Sequence, residues 1–136
     1  RTTTADAREN HAAWRQQADV VMADVPCSGL GIIRKKPDIR YKSPKELAQL
    51  PLIQRAILEN AASYVRPGGT LVYSTCTVLP EENEDVTGDF LDQHPEFEPV
   101  RTVFPLPVGP CPGQVTLWPQ RHGTDGFYIC RMRRKD

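Results

Sequence analysis

The chain has 136 residues, 39% hydrophobic and 25% charged, with 17 Lys and Arg balanced by 17 Asp and Glu. That length suits one domain able to bury roughly two-thirds of its unfolded surface, and the composition excludes a disordered tail, a collagen and a strongly charged nucleic-acid arm. No apolar run approaches the ~18 residues of a membrane span, and Arg1-Thr-Thr-Thr has neither a signal peptide's hydrophobic stretch nor an initiator Met, which predicts a soluble, cytoplasmic, non-membrane chain whose start is cut.

From the amino end, Ala7 to Gln17 carries helix formers around Ala12, Ala13 and Trp14, and Asp19 to Asp24 is an apolar run bounded by acids that reads as a buried strand. Ser43-Pro44-Lys45-Glu46 is a capping box with Pro at the first helical position, so a helix starts at 43. Pro51 is expected to interrupt it. Beyond Pro51, the residues Leu52, Ile53, Ala56, Ile57, Ala61 and Tyr64 recur at helical spacing as one apolar stripe, which Arg66-Pro67-Gly68-Gly69 stops. Thr70 to Ser74 reads as a second buried strand, and Pro80 opens a helical stretch to about Gln93.

The long segment between the two apolar strands excludes a hairpin and predicts a parallel βαβ crossover. Three further strands are expected at Phe97–Val103, Gln114–Trp118 and Phe127–Met132, separated by turns such as Pro110-Cys111-Pro112-Gly113 and added antiparallel at the sheet edge. Charge is unevenly placed. Glu81 to Glu98 holds eight acids and no Lys or Arg, the pattern of a solvated helix face, whereas Arg34 to Lys42 holds five basic residues against Asp38. That basic stretch follows the first strand, where α/β sheets bind ligands, so Arg34, Lys35, Lys36 and Arg40 are candidates for contact with a phosphate backbone as well as for a merely soluble loop.

Four cysteines, at 27, 76, 111 and 130, are too irregularly spaced for a small secreted disulfide scaffold. No Cys-x-x-Cys occurs and His11, His94 and His122 stand far apart, so no metal is expected. Asp24-Val25-Pro26-Cys27-Ser28-Gly29 follows the first parallel strand and Ser74-Thr75-Cys76-Thr77 the second. If the strands are neighbours, about 4.8 Å apart, both thiols emerge at one carboxyl edge beside Asp24. One buried cysteine alone is ordinarily inert; two at matching strand ends with a carboxylate favour chemistry. A thiolate is suited to attack on an electron-poor carbon that must later be released, such as C6 of a pyrimidine, with a carboxyl assisting at the ring edge.

Asp24-Val-Pro-Cys-Ser-Gly and Tyr73-Ser-Thr-Cys76-Thr, followed by Leu79-Pro-Glu-Glu-Asn83, resemble the two cysteine signatures of the RNA cytosine-5 methyltransferases of the Sun/Fmu type. Gly31-Ile-Ile-Arg-Lys-Lys-Pro-Asp-Ile-Arg40 is similar to the RsmB-like branch, which acts on small-subunit ribosomal RNA, and Arg66-Pro-Gly-Gly-Thr70 and Thr124-Asp-Gly-Phe-Tyr128 also fit the family. The resemblance implies that Cys76 attacks C6 of the target cytosine, that C5 then takes the methyl of S-adenosylmethionine, and that Cys27 helps remove the C5 proton and release product. It implies that Asp24 sits between cofactor and base, and that Asp6 contacts the adenine side of the cofactor unless it is an ordinary loop or cap aspartate.

What does not fit is the missing Gly-rich turn and ribose-binding acid before Asp6, and the missing amino-terminal RNA-binding domain. Residues 1–136 are therefore expected to be the carboxyl-terminal half of a catalytic domain. Its fold would be an α/β partial Rossmann-like class I methyltransferase sheet, two parallel strands plus an antiparallel C-terminal hairpin, with an exposed inner edge that invites self-association. The competing readings are a non-catalytic RNA-binding module that keeps the fold, and a methyltransferase acting on exocyclic nitrogens, which would want Asn or Asp-Pro-Pro-aromatic where this chain has Asp24-Val-Pro-Cys.

Overall fold

The computed structural model describes residues 2–136. Strands β1 (Ala18–Asp24) and β2 (Val65–Thr75) pair in parallel with Asp24 opposite Ser74, so their carboxyl ends share one edge. The chain between them makes α1 (Pro44–Leu47) and α2 (Leu50–Tyr64). After β2 come α3 (Glu84–Gln93), β3 (Phe97–Pro99), β4 (Thr102–Val103), β5 (Pro110–Cys111), β6 (Gln114–Leu117), α4 (Pro119–His122) and β7 (Phe127–Arg134). Strand β7 lies antiparallel to β2 and carries β3 and β6 on its other side, giving the order β1-β2-β7-β3. The parallel crossover and the antiparallel additions are those the sequence predicts, except that the expected strand Phe97–Val103 breaks into β3 and β4, of which only β3 joins the main sheet. Part of the expected Pro110–Gly113 turn is instead strand, because Pro110 and Cys111 pair with β4 in a separate ribbon.

Helix α2 packs on β1, β2 and α3. Leu58, Val65, Leu71, Tyr73, Val86, Tyr128 and Met132 are fully buried between the helices and the sheet, each aliphatic side chain stabilising the fold by about 1.5–3 kcal/mol. The expected apolar stripe of α2 is out of phase with the one observed. Leu52 is 63% exposed, and the innermost line runs through Gln54, Leu58, Ala61, Ala62 and Val65. Pro51 does not interrupt a helix but lies in the first turn of α2, where its missing N–H has no intrahelical acceptor to lose. The capping box at Ser43 is present, with Ser43 Oγ accepting from Glu46 N–H and Glu46 Oε2 from Ser43 N–H, yet it opens only the four-residue α1.

Two further expectations fail for identifiable reasons. Residues 7–17 form turns and a short 3-10 segment (Ala12–Trp14) instead of a helix, because α2 supplies their hydrogen bonds. Asn60 Nδ2 donates to the carbonyls of Ala7 and Glu9, and the Tyr64 hydroxyl receives His11 N–H. Strand β1 is not buried on both faces. Ala23 faces the helices, but Val20 and Met22 are 63% and 69% exposed, since no described element covers the opposite face and β2 is the only described strand beside it.

Candidate active site

The parallel ladder runs one residue past β1, through Val25 N–H to Ser74 O at 3.1 Å, and stops at Pro26, which has no N–H to give. Gly29, at φ 77°, then takes the left-handed conformation that turns the chain away from the edge. These two residues leave Cys27 standing beside Cys76, the first residue after β2, with their Sγ atoms 3.0 Å apart and hydrogen-bonded. Cys76 N–H also donates to Cys27 Sγ at 3.2 Å. Ser74 Oγ donates to Asp24 Oδ1 at 2.9 Å, which places an exposed carboxylate on the same edge. The structure thus brings together the three residues that the sequence nominates for chemistry.

Burial, and then the hydrogen bond with Cys76, push the Cys27 thiol up to about 12, against the lowering effect of the Cys76 and Gly29 backbone N–H groups. Cys27 is therefore protonated near neutral pH and able to donate its S–H to the sulfur of Cys76.

Sequence reasoning missed the polar layer beneath the thiols. Glu82, 2% exposed, accepts from Ser28 N–H (2.9 Å) and Gln54 Nε2 (2.7 Å) through Oε2, and Gln54 Nε2 also reaches the carbonyl of Pro26 at 3.0 Å. Asn83 accepts from Thr75 Oγ1 (2.6 Å) and donates to Thr77 O (3.1 Å), while Ser28 Oγ donates to Thr77 Oγ1 at 2.7 Å. The available signal was Glu82-Asn83 within a matched family motif, and a glutamine in the buried phase of α2.

Asp6 and Asp24 line one cleft of about 330 Å³, walled by Ala7, Trp14, Val21 and Ile57. Hydrogen bonds from the Arg8 side chain and then its backbone N–H hold the Asp6 carboxyl at about 2. The basic loop divides. Arg34 (3.3 Å) and Lys35 both pair with Asp125, and the Lys35 hydrogen bond keeps that carboxyl below its ordinary range. Lys36 and Arg40 are exposed and have no carboxylate partner among the described residues. The loop also sits on the thiol site: Gly31 N–H donates to Cys76 O at 3.0 Å and Gly126 N–H to Gly31 O at 2.8 Å. A Cβ on Gly31 would lie 1.9 Å from Gly126 O. Among the described residues no three His, Cys, Asp or Glu side chains are grouped to hold a metal ion, and no helix is long and apolar enough to cross a membrane.

The pattern of the family "16S rRNA methyltransferase RsmB/F" matches residues 1–133. The "Probable ribosomal RNA small subunit methyltransferase B" of Bacillus subtilis (strain 168) is 45% identical over 97% of the chain and 31% of its own length. The ribosomal RNA small subunit methyltransferase B of Thermus thermophilus is 42% identical over 88% of the chain and 30% of its own. The chain thus spans about a third of the curated relatives it matches. Among solved structures, PH0851 superposes with a TM-score of 0.85 at 36% identity, over 96% of this chain and 30% of that one. NSun6 from Pyrococcus horikoshii with SFG gives 0.71 at 25% identity, over 98% and 34%. The sheet, parallel strands with antiparallel additions, is accordingly that of a Rossmann-like methyltransferase fold, and the chain belongs to the RsmB/F family of 16S rRNA methyltransferases.

Proposed function

We propose that residues 1–136 are the thiol-bearing, carboxyl-terminal part of an S-adenosylmethionine-dependent methyltransferase domain that methylates C5 of a cytosine in small-subunit ribosomal RNA. The observation that carries this reading is the pair of thiols 3.0 Å apart at adjacent parallel strand ends, with Asp24 on the same edge. The match to the 16S rRNA family and the relatives' names support ribosomal RNA as substrate.

The chemistry assigns different work to the two sulfurs. Cys76, as thiolate, adds to C6 of the base, and the electrons displaced from the C5–C6 double bond make C5 nucleophilic. Cys27 keeps its proton during this addition, its Sγ 3.0 Å from that of Cys76. S-adenosylmethionine, when bound, supplies the methyl group to C5. The cleft lined by Asp6 and Asp24 fits such a cofactor, since apolar walls suit an adenine and the carboxylates suit a ribose hydroxyl and a cationic group. Once Cys76 is tied up as a thioether, its hydrogen bond to Cys27 and its negative charge, both of which raise the Cys27 pKa, are gone. Cys27 can then lose its proton to solvent and take the C5 proton. The C5–H electrons re-form the double bond and the C6–S pair returns to Cys76. Asp24 serves the ring edge of the base, and Lys36 and Arg40, with Arg34 and Lys35 if Asp125 releases them, serve phosphates.

The test uses the full-length protein and denaturing gels with cytosine-containing substrate RNA. Cys27→Ala is expected to accumulate a covalent protein–RNA adduct, and Cys76→Ala to give neither adduct nor product. The double variant should match Cys76→Ala, because the steps are in series. Adduct from Cys76→Ala but not Cys27→Ala would reverse the assignment, and turnover surviving both would remove the thiols from the mechanism.

A further inference from the structure

Glu82 is a buried carboxylate that makes no salt bridge among the described residues, and its Oε1 has no hydrogen-bond partner; neither does Gln54 Oε1. Burial of such a group is costly, and a well-packed apolar side chain would serve stability better. What the carboxylate does hold is specific. Its Oε2 takes the N–H of Ser28, the residue after Cys27, and through Gln54 the carbonyl of Pro26, the residue before it. The Tyr73 hydroxyl donates to the Glu82 carbonyl at 2.6 Å, so this strap is anchored to β2, the strand that delivers Cys76. Asn83, fully buried, does the same for the other thiol, bridging Thr75 and Thr77 on either side of Cys76.

We propose that Glu82 and Asn83, adjacent in the turn before α3, are positioning residues, one for each thiol loop, beside the direct link from Ser28 Oγ to Thr77 Oγ1. Glu82 straps the Cys27 loop and Asn83 the Cys76 loop, so each controls a different step. The geometric half of this inference stands on the contacts alone; the kinetic half rests on the methyl-transfer reading above. Losing the Glu82 strap lets Cys27 drift from the base while Cys76 still attacks, so release slows and addition does not. Losing the Asn83 bridge slows addition itself.

The geometric half is read with dibromobimane, which fluoresces when it bridges two neighbouring thiols, with the Cys27–Cys76 link identified by peptide mapping. Glu82→Ala is expected to slow that bridging about tenfold, the effect of losing a charge-assisted hydrogen bond. Glu82→Gln restores it, because its carbonyl oxygen can accept from both Ser28 and Gln54. Gln54→Ala, which cuts the strap to Pro26 but keeps the carboxylate, serves should Glu82→Ala fail to fold, and is expected to slow bridging by about fivefold. The kinetic half is read in the full-length protein by single-turnover adduct formation and decay. Glu82→Ala slows decay about tenfold with formation nearly unchanged, and Asn83→Ala slows formation by a similar factor. Wild-type bridging in folded Glu82→Ala or Gln54→Ala overturns the strap, and equal slowing of formation and decay in both Glu82→Ala and Asn83→Ala overturns the division of labour. Should bridging fall as expected while wild-type enzyme forms no adduct with RNA, the positioning role stands and the methyl-transfer reading fails.

Discussion

Removing the Cys76 sulfur should make Cys27 more reactive, a consequence opposite to that of breaking a cooperative pair. With Cys27 pushed up to about 12 from an ordinary thiol value of 9.0, its thiolate fraction at pH 8 is about a thousandfold below that of an ordinary thiol. Because a more basic thiolate is also a better nucleophile, with a Brønsted slope of about 0.4–0.5, the net slowing toward a disulfide reagent is roughly fiftyfold. Cys76→Ala deletes the side-chain hydrogen bond and the neighbouring charge, both of which raise the Cys27 value, and keeps the Cys76 backbone N–H that lowers it, while burial still raises it. The midpoint must therefore fall, and each pKa unit recovered speeds reaction at pH 8 by about threefold after the loss of nucleophilicity. The assay is modification by methyl methanethiosulfonate across alkaline pH, with Cys27 followed by peptide mapping and glutathione as the free-thiol reference. A Cys27 midpoint that stays put or rises in Cys76→Ala would refute the reasoning, and with it the argument that alkylation of Cys76 by the base readies Cys27 to take a proton.

The basic loop should split in RNA binding by the full-length protein. Lys36→Ala with Arg40→Ala is expected to lower the slope of log affinity against log salt by roughly 1.4, whereas Arg34→Ala with Lys35→Ala changes it by less than half as much, and the reverse order would show that Asp125 releases its partners on binding. Gly31→Ala drives a Cβ into the Gly126 carbonyl and is expected to cost about 2–3 kcal/mol in chemical denaturation; a wild-type midpoint would mean the loop docks elsewhere. At His94, burial lowers the imidazole value, but the hydrogen bonds its ring N–H groups donate to Glu96 and Glu59 outweigh it and raise it above its ordinary value. A raised folded value means stability fully present below the unfolded value and lost as pH rises through the folded one, so stability in thermal melts should decline as pH rises past about 6.5, by less than about 1 kcal/mol given the exposed carboxylates. His94→Gln should flatten that slope.

The sheet was legible because its determinants are local and repeated. Two apolar runs with a long interval force a parallel crossover, and strand ends expected at Asp24 and Ser74, against Asp24 and Thr75 in the structure, suffice to put Cys27 and Cys76 on one edge. The phase of α2 was not legible in the same way. Counting apolar residues favours Leu52 and Ile53, yet the helix turns Gln54 inward, because the hydrogen bonds it makes to Glu82 and to the carbonyl of Pro26 satisfy backbone and carboxylate atoms that burial would otherwise strand. Residues 7–17 fail for a related reason. Their helix propensity is real but weak, and Asn60 and Tyr64 offer their backbone groups partners that a free helix would not have.

The phase of α2 and the path of residues 7–17 thus both depend on polar side chains that meet distant parts of the chain, and the unpredicted half of the site is of the same kind. A pattern of hydrophobic positions reports what water rejects; it carries no information about which buried donor finds which acceptor across tens of residues of sequence. Ser28 and Glu82 are 54 residues apart in sequence, and Tyr64 and Glu9 are 55. The thiols themselves were found because cysteine at a strand end is chemically conspicuous. The residues that set their separation are an ordinary glutamate, glutamine and asparagine, and what distinguishes them is burial beneath the loops they hold, a property only the folded chain possesses.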